Sequence, residues 1–349
     1  METLIESVTK ENIDGRIMEK AGEIIRSGGL VAFPTETVYG LGGDAFNPES
    51  SMKIYAAKGR PSDNPLIVHI AELKDLSKVT KDIPDEAFRL AEAFWPGPLT
   101  IILNKVDNLP KETTGGLETV AIRMPSHPIA LEFIKASGGF IAAPSANISG
   151  RPSPTSARYV IEDLNGRVEM IIDGGSSDIG LESTIVDLTQ SEPMILRPGF
   201  ITREDLERVV NDVSIDAAII DENSKEPPKA PGMKYRHYAP KADLLIVSGD
   251  SSKVVSYINE CIKKGRAEEK KVAVIATEET KELYEADVVK NLGKRQDEAS
   301  IARNLFRILR ELDDIEVDMI YTESFDSKGI SMATMNRLLK AAGHKEVKL

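Results

Sequence analysis

The run Lys58-Gly59-Arg60-Pro61 sets two cations of different geometry on a short Gly/Pro-containing turn. Lys offers a point charge and Arg a planar fork, and the two together bind phosphate well. Upstream, Pro34-Thr35-Glu36-Thr37-Val38-Tyr39-Gly40 forms a second turn rich in hydroxyls. No Walker-type Gly-x-x-x-x-Gly-Lys-Ser/Thr run occurs in the chain. A nucleotide, if handled here, meets a cationic cleft and not a P-loop. The bland alternative for the two charges is a solvated turn.

The other candidates follow the same theme of polar groups at the ends of apolar runs. Thr35 and Thr37 either aim hydroxyls at a ligand or cap a helix. His69 closes the run Leu66-Ile67-Val68, where it is either a structural histidine or a ligand contact. In Ala121-Ile122-Arg123-Met124-Pro125, strand alternation puts Ala121 and Arg123 on one face and Ile122 on the other. An Arg beside a sheet core needs a partner, either an anionic ligand or a protein carboxylate. Ala142-Ala143-Pro144-Ser145-Ala146-Asn147-Ile148-Ser149-Gly150 is dense in small polar groups that let a ligand approach the backbone. No His lies near Ser145 in sequence and no Gly-x-Ser-x-Gly elbow exists, which excludes a serine hydrolase. Ser153 and Thr155 cap the next helix or reach a ligand. Glu182-Ser183-Thr184 opens one strand, and Arg197 repeats the cation at a strand end.

Positioning these groups takes a chain of 349 residues, long enough for two domains. Hydrophobic content of 41% with 29% charged residues is that of a globular protein. No apolar run reaches the ~18–20 residues of a membrane span, and Met1 to Lys10 has no apolar signal region. Cys261 is the only cysteine, which rules out an internal disulfide and fits a reducing cytoplasm. With four His besides, a structural zinc site is not expected. Net charge is −12, with 25 Lys/Arg against 36 Asp/Glu in residues 1–240 and 19 against 20 in residues 241–349. That balance argues against nucleic acid as the main ligand. Lys58, Arg60, Arg123 and Arg197 gathered at one mouth of an otherwise acidic domain would make an ATP site.

Short apolar strand runs begin at Leu30, Leu66, Leu99, Val120, Phe140, Ile171 and Thr184. Helical periods cover 14–28, 48–57, 84–95, 127–137 and 203–211. Two strand runs between residues 99 and 125 follow one another without a helix, which predicts a mixed sheet with antiparallel pairs. The proline-rich stretch 221–240 reads as a linker. Its Lys234-Tyr235-Arg236-His237-Tyr238 cluster suggests a segment that folds over a filled site, or else docks on a surface. Beyond it, strand runs at 244–247, 272–275, 287–290 and 319–321 alternate with helical stretches at 251–264, 277–284, 297–312 and 331–341. This is a small parallel α/β domain of Rossmann type without a Gly-x-Gly-x-x-Gly turn. The predicted boundaries are 1–220, 221–240 and 241–349.

Taken jointly, Pro34 to Leu41, Lys58 to Pro61, Pro65 to His69, Ser145-Ala146-Asn147 with Ser149-Gly150, and Ser183-Thr184 resemble the YrdC-like family over about residues 10–210. Pro231 to Pro240 and the domain after it resemble the longer, two-domain threonylcarbamoyl-AMP synthases. The resemblance implies a twisted, largely open mixed α/β sheet with a concave cationic face. It implies a nucleotidyltransferase that joins L-threonine, bicarbonate or CO2, and ATP into threonylcarbamoyl-adenylate, releasing pyrophosphate. A separate transfer RNA threonylcarbamoyl transferase complex then takes the product, with direct transfer RNA contact weak or absent and no membrane involved. By the same resemblance Thr35, His69, Arg123, Ala143 and Ser183 hold threonine. Lys58, Ser62, Thr119, Ser145, Asn147, Ser153 and Arg197 hold ATP, and Lys58 and Arg60 are the catalytic cations. Tyr235 or Tyr238 closes from the linker, and Mg2+ arrives on the phosphates without a dedicated protein site. Two other readings are an RNA-binding module and a carbamoyl-adenylate-forming transferase. The acidic balance and the absence of aromatic interleaving oppose the first. The absence of zinc-finger or acylphosphatase-like segments opposes the second.

Overall fold

A computed structural model describes residues 2–220 and 238–349, so most of the expected linker, Tyr235 included, lies outside the described residues. Among these residues the chain forms two compact units. The larger comprises residues 2–149, 153–178 and 182–220; the smaller comprises 150–152, 179–181 and 238–349.

Eleven strands of the larger unit join in one sheet: Leu4–Ser7 (β1), Val31–Phe33 (β2), Gly40–Asp44 (β3), Ile67–His69 (β4), Leu99–Asn104 (β5), Thr119–Arg123 (β6), Ile141–Ala143 (β7), Met170–Asp173 (β8), Thr184–Asp187 (β9), Met194–Arg197 (β10) and Ser214–Ile215 (β11). Their order is β1-β8-β2-β3-β7-β4-β6-β5-β9-β10-β11. The sheet is mixed, as expected. β5 and β6 pair antiparallel, β4 and β6 parallel, and β5 and β9 parallel.

β3 was not anticipated, because Gly-Leu-Gly-Gly-Asp has little strand character. Its glycines are there for room. A Cβ on Gly42 would stand 2.8 Å from the Ile141 side chain on the neighbouring β7. Layers of helix cover both faces. Val68, Ile101, Ile122, Ala142 and Val186 face a core shared with Ile54 and Leu90 of the helices Pro48–Lys58 and Asp85–Phe94. Phe33, Ile141, Ala143 and Ile172 face the helices Gly15–Arg26 and Pro128–Ala136. Those two helices approach closely: a Cβ on Gly22 would lie 2.3 Å from the Ala136 carbonyl, so only glycine fits.

The smaller unit holds Asp243–Ser248 (β12), Val272–Ala276 (β13), Val288–Asn291 (β14), Met319–Glu323 (β15) and Glu346–Lys348 (β16) in the order β14-β13-β15-β12-β16. Every pair is parallel, which matches the expected α/β class. The helix expected over 277–284 is only a single 3-10 turn, Lys281–Leu283. Thr277 and Thr280 hydroxyls meet at 3.2 Å, and Thr280 donates onward to the buried Glu323 carboxylate. Side chains that bond locally in this way compete with helical hydrogen bonding. The helix expected over 203–211 stops at Glu207, though it begins with a full capping box between Thr202 and Asp205.

Candidate functional site

The turn from Pro34 to Tyr39 joins β2 to β3, so no helix follows for Thr35 or Thr37 to cap. Instead the Thr35 hydroxyl accepts the Thr37 and Val38 N–H groups at 3.2 and 3.3 Å and donates to the Val38 carbonyl at 2.6 Å. The Thr37 hydroxyl lies 2.9 Å from it and accepts Arg123 Nη1 at 2.8 Å. A self-bonded hydroxyl turn thus delivers an oxygen to the cation ending β6.

Arg123 is only 4% exposed, and strand register sets it opposite His69 of β4 and Thr100 of β5. Its Nε donates to the Gly97 carbonyl at 3.2 Å, and its Nη2 stands 2.7 Å from Glu36 Oε1. The alternation reading holds: Ile122 packs in the main core, while Ala121 joins Ile67, Ile102, Ile185 and Leu196 in a small apolar cluster on the opposite face. Both candidate partners of Arg123 were open in the sequence, and the structure supplies the protein carboxylate. His69 is buried, edge-on to Phe33 at 6.0 Å, with Nδ1 3.0 Å from the Ile67 carbonyl. Ala143 ends β7 opposite Ile67.

Lys58 is the last residue of the helix Pro48–Lys58, not a turn residue. Asn47 caps that helix at its start, and Gly59 ends it in the left-handed region at φ 61°. The Lys58 ammonium is 1% exposed and donates to the Ser145 and Asn147 carbonyls. Ser145 donates to Asn147 Oδ1. The same loop is tied to the hydroxyl turn, since Ala146 N–H bonds the Tyr39 carbonyl at 2.8 Å and Gly40 bridges to Ser145. Arg60 is 8% exposed, and its Nη2 donates to the Pro65 carbonyl at 3.2 Å, bracing the entry to β4. Ser62 is exposed on the turn between them, and the half-buried Thr119 opens β6 opposite Asn104.

Ser183 links the rest. Its hydroxyl lies 2.7 Å from that of Thr100 and accepts Arg197 Nη2 at 3.0 Å, while Arg197 Nε donates to its carbonyl at 3.0 Å. Ser153 caps no helix: it donates to Glu182 Oε1 at 2.6 Å. Tyr238 is buried in the smaller unit, its ring tilted 33° against that of Phe306 at 5.0 Å between centroids. Three side chains of this network carried no assignment from sequence: Glu36, Thr100 and Glu182. Glu36 stood inside the hydroxyl motif, where its acid between two threonines was the available signal.

Burial, together with the nearby Arg123, pushes the His69 imidazole down to about 3, so it is neutral in the folded protein. Burial, with Lys10 nearby, takes His127 down to about 4. Burial pushes the Glu36 carboxyl up, but Arg123 and the Ser126 N–H outweigh it and hold it below the usual carboxylate range. All three shifts have one sign in stability. The unfolded chain takes up protons first as pH falls below about 6.5, and native stability drops with it. Each histidine is expected to cost about 2 kcal/mol between pH 6.5 and 5. The Glu36 contribution is lost only at still lower pH. Urea unfolding at pH 7, 6 and 5 checks this, with His69→Gln flattening the slope. A flat profile over that window contradicts it.

Comparisons with known proteins extend the geometry. Residues 23–199 match the family model described as "Telomere recombination", which joins Sua5, YciO and YrdC proteins. Residues 201–343 match "Threonylcarbamoyl-AMP synthase, C-terminal domain". The chain is 50% identical to the threonylcarbamoyl-AMP synthase of Pyrococcus abyssi over 99% of its own length and 100% of that protein's. It is 49% identical to the Bacillus subtilis threonylcarbamoyl-AMP synthase over 94% of each. The crystal structure of P. abyssi Sua5 complexed with L-threonine superimposes with a TM-score of 0.94 at 50% identity, covering 99% of this chain and 100% of that one.

Proposed function

The chain belongs to the threonylcarbamoyl-AMP synthase family in its two-domain form, and from that membership we propose that it condenses L-threonine, bicarbonate or CO2, and ATP into threonylcarbamoyl-AMP, releasing pyrophosphate. It is an enzyme of nucleotidyl-transferase type. The observation that carries the specific reading is the hydrogen-bonded circuit of the larger unit. It ties Lys58 to the Ser145–Asn147 loop, that loop to the hydroxyl turn, the turn to Arg123, and Thr100 to Ser183 and Arg197.

The family resemblance divides the proposed site into two halves. Thr35, His69, Arg123, Ala143 and Ser183 take threonine, with Arg123 meeting its carboxylate. Lys58, Ser62, Thr119, Ser145, Asn147, Ser153 and Arg197 take ATP, with Arg60 adding charge near the phosphates. The threonine amine captures CO2, a carbamate oxygen attacks the α-phosphorus in line, and pyrophosphate departs. No covalent enzyme intermediate is needed. The protein contributes positioning and charge stabilisation in a site that excludes water.

Mg2+ neutralises phosphate charge when bound. It would arrive on the ATP phosphates and need few protein ligands. The product passes to a separate transferase that modifies transfer RNA, and this work is cytoplasmic. Pyrophosphate release from ATP and Mg2+, with threonine and bicarbonate omitted in turn, tests the reading. Release that requires both supports it, with the adenylate then identified by mass spectrometry. Release independent of threonine overturns it.

A further inference from the structure

Glu36 and Arg123 form an ion pair that is buried but incompletely satisfied. Glu36 is 5% exposed and Arg123 4%. Glu36 Oε1 takes the Ser126 N–H at 3.1 Å and lies 2.7 Å from Arg123 Nη2. That contact is a direct ion pair, and the guanidinium also holds the Thr37 hydroxyl and the Gly97 carbonyl. Glu36 Oε2 has no hydrogen-bond partner. A buried carboxylate oxygen without a donor is costly. Here it stands beside the Arg123 guanidinium, next to the Thr35 and Thr37 hydroxyls and across from His69.

A carboxylate oxygen without a donor, beside a guanidinium, has the polarity of an α-amino acid zwitterion in reverse. We propose that Glu36 and Arg123 together form a zwitterion receptor, in which Glu36 Oε2 accepts the ammonium of the amino acid whose carboxylate meets Arg123. This rests on the reading that threonine binds at Arg123, and it assigns Glu36 a direct contact with substrate. The consequence is selectivity for a free α-amine. Glu36 stays ionised beside Arg123, so it serves as an acceptor and not as a proton store. Carbamate formation requires the ammonium to give up its protons to solvent, since Glu36 does not keep them; its positive charge is then gone, and the contact that held it no longer opposes release of the adenylate.

Calorimetry on the full chain tests this with three probes: L-threonine, 2,3-dihydroxybutyrate of matching stereochemistry, which lacks the amine, and ATP. The wild-type protein is expected to bind the desamino compound about 10- to 100-fold more weakly than threonine. Glu36→Gln is expected to weaken threonine by a similar factor, to leave the desamino compound within about twofold, and to leave ATP unchanged. Equal wild-type affinity for threonine and the desamino compound overturns the proposal. So does a folded Glu36→Gln protein that binds threonine normally or loses both compounds alike. Should Glu36→Gln not fold, Glu36→Asp, which withdraws the carboxylate by one methylene, must show the same selective loss. Failure of the underlying reading looks different: wild-type protein then shows no threonine binding at all.

Discussion

Lys58→Ala is expected to lower threonine-dependent pyrophosphate release by about 10²–10³-fold or more, the scale seen when one preorganised charge-stabilising donor is removed. The expectation comes from how the ammonium is held. It sits at the end of the helix Pro48–Lys58, almost fully buried, clamped by the Ser145 and Asn147 carbonyls. Those carbonyls fix where the positive charge stands, so a phosphate meets a charge already in place. Removing it also releases the loop that carries Ser145 and Asn147, so ATP affinity should fall along with turnover. Lys58→Arg should recover little, because a planar fork does not reproduce a point charge between two converging carbonyls. Pyrophosphate release and ATP calorimetry, with circular dichroism to establish folding, provide the check. Wild-type turnover by a folded Lys58→Ala protein would sink the phosphate assignment.

Arg123→Leu is expected to destabilise the protein by about 3–5 kcal/mol, the usual cost of removing one partner from a buried ion pair. The large figure has a specific source. Leucine leaves Glu36 as an uncompensated carboxylate at 5% exposure and deprives the Thr37 hydroxyl and Gly97 carbonyl of their donor. If stranded charge is the cause, Arg123→Leu combined with Glu36→Gln should recover more than half of the loss. Urea midpoints of the two single variants and the double variant measure the coupling directly. A double variant no more stable than Arg123→Leu would assign the loss to packing instead.

The pattern of what could be read from sequence follows from the range of the interactions. Continuous apolar runs such as Leu99–Asn104 and Thr119–Arg123 announce themselves as strands, and the missing helix between them announces an antiparallel pair. Gly40–Asp44 does not, because its Gly42 is dictated by Ile141 on β7, far along the chain. The cations were legible for a related reason: Lys58, Arg123 and Arg197 stand at the ends of apolar runs, where a charge is conspicuous. Their protein partners were not. Glu36 meets Arg123, Ser183 meets Thr100, and Glu182 meets Ser153 only through the sheet's strand order. An exposed acid and a buried one look alike in a sequence. The hydroxyls of Thr277 and Thr280 misled in the other direction, since the helical period around them is real but their side chains are spent on local bonds.

The sheet order also has a consequence for how the chain is made. Among the described residues β1 pairs only with β8, and β2 needs the same strand on its outer side. A ribosome adding about 5–20 residues per second leaves those first strands waiting on the order of ten seconds or more for Met170–Asp173 to emerge. Throughout that interval the nascent chain carries unpaired strand edges, which are templates for the wrong partner. Translation stalled before residue 170 should therefore yield chains that associate with one another or with holdase chaperones, whereas chains stalled beyond β8 should have those edges sealed.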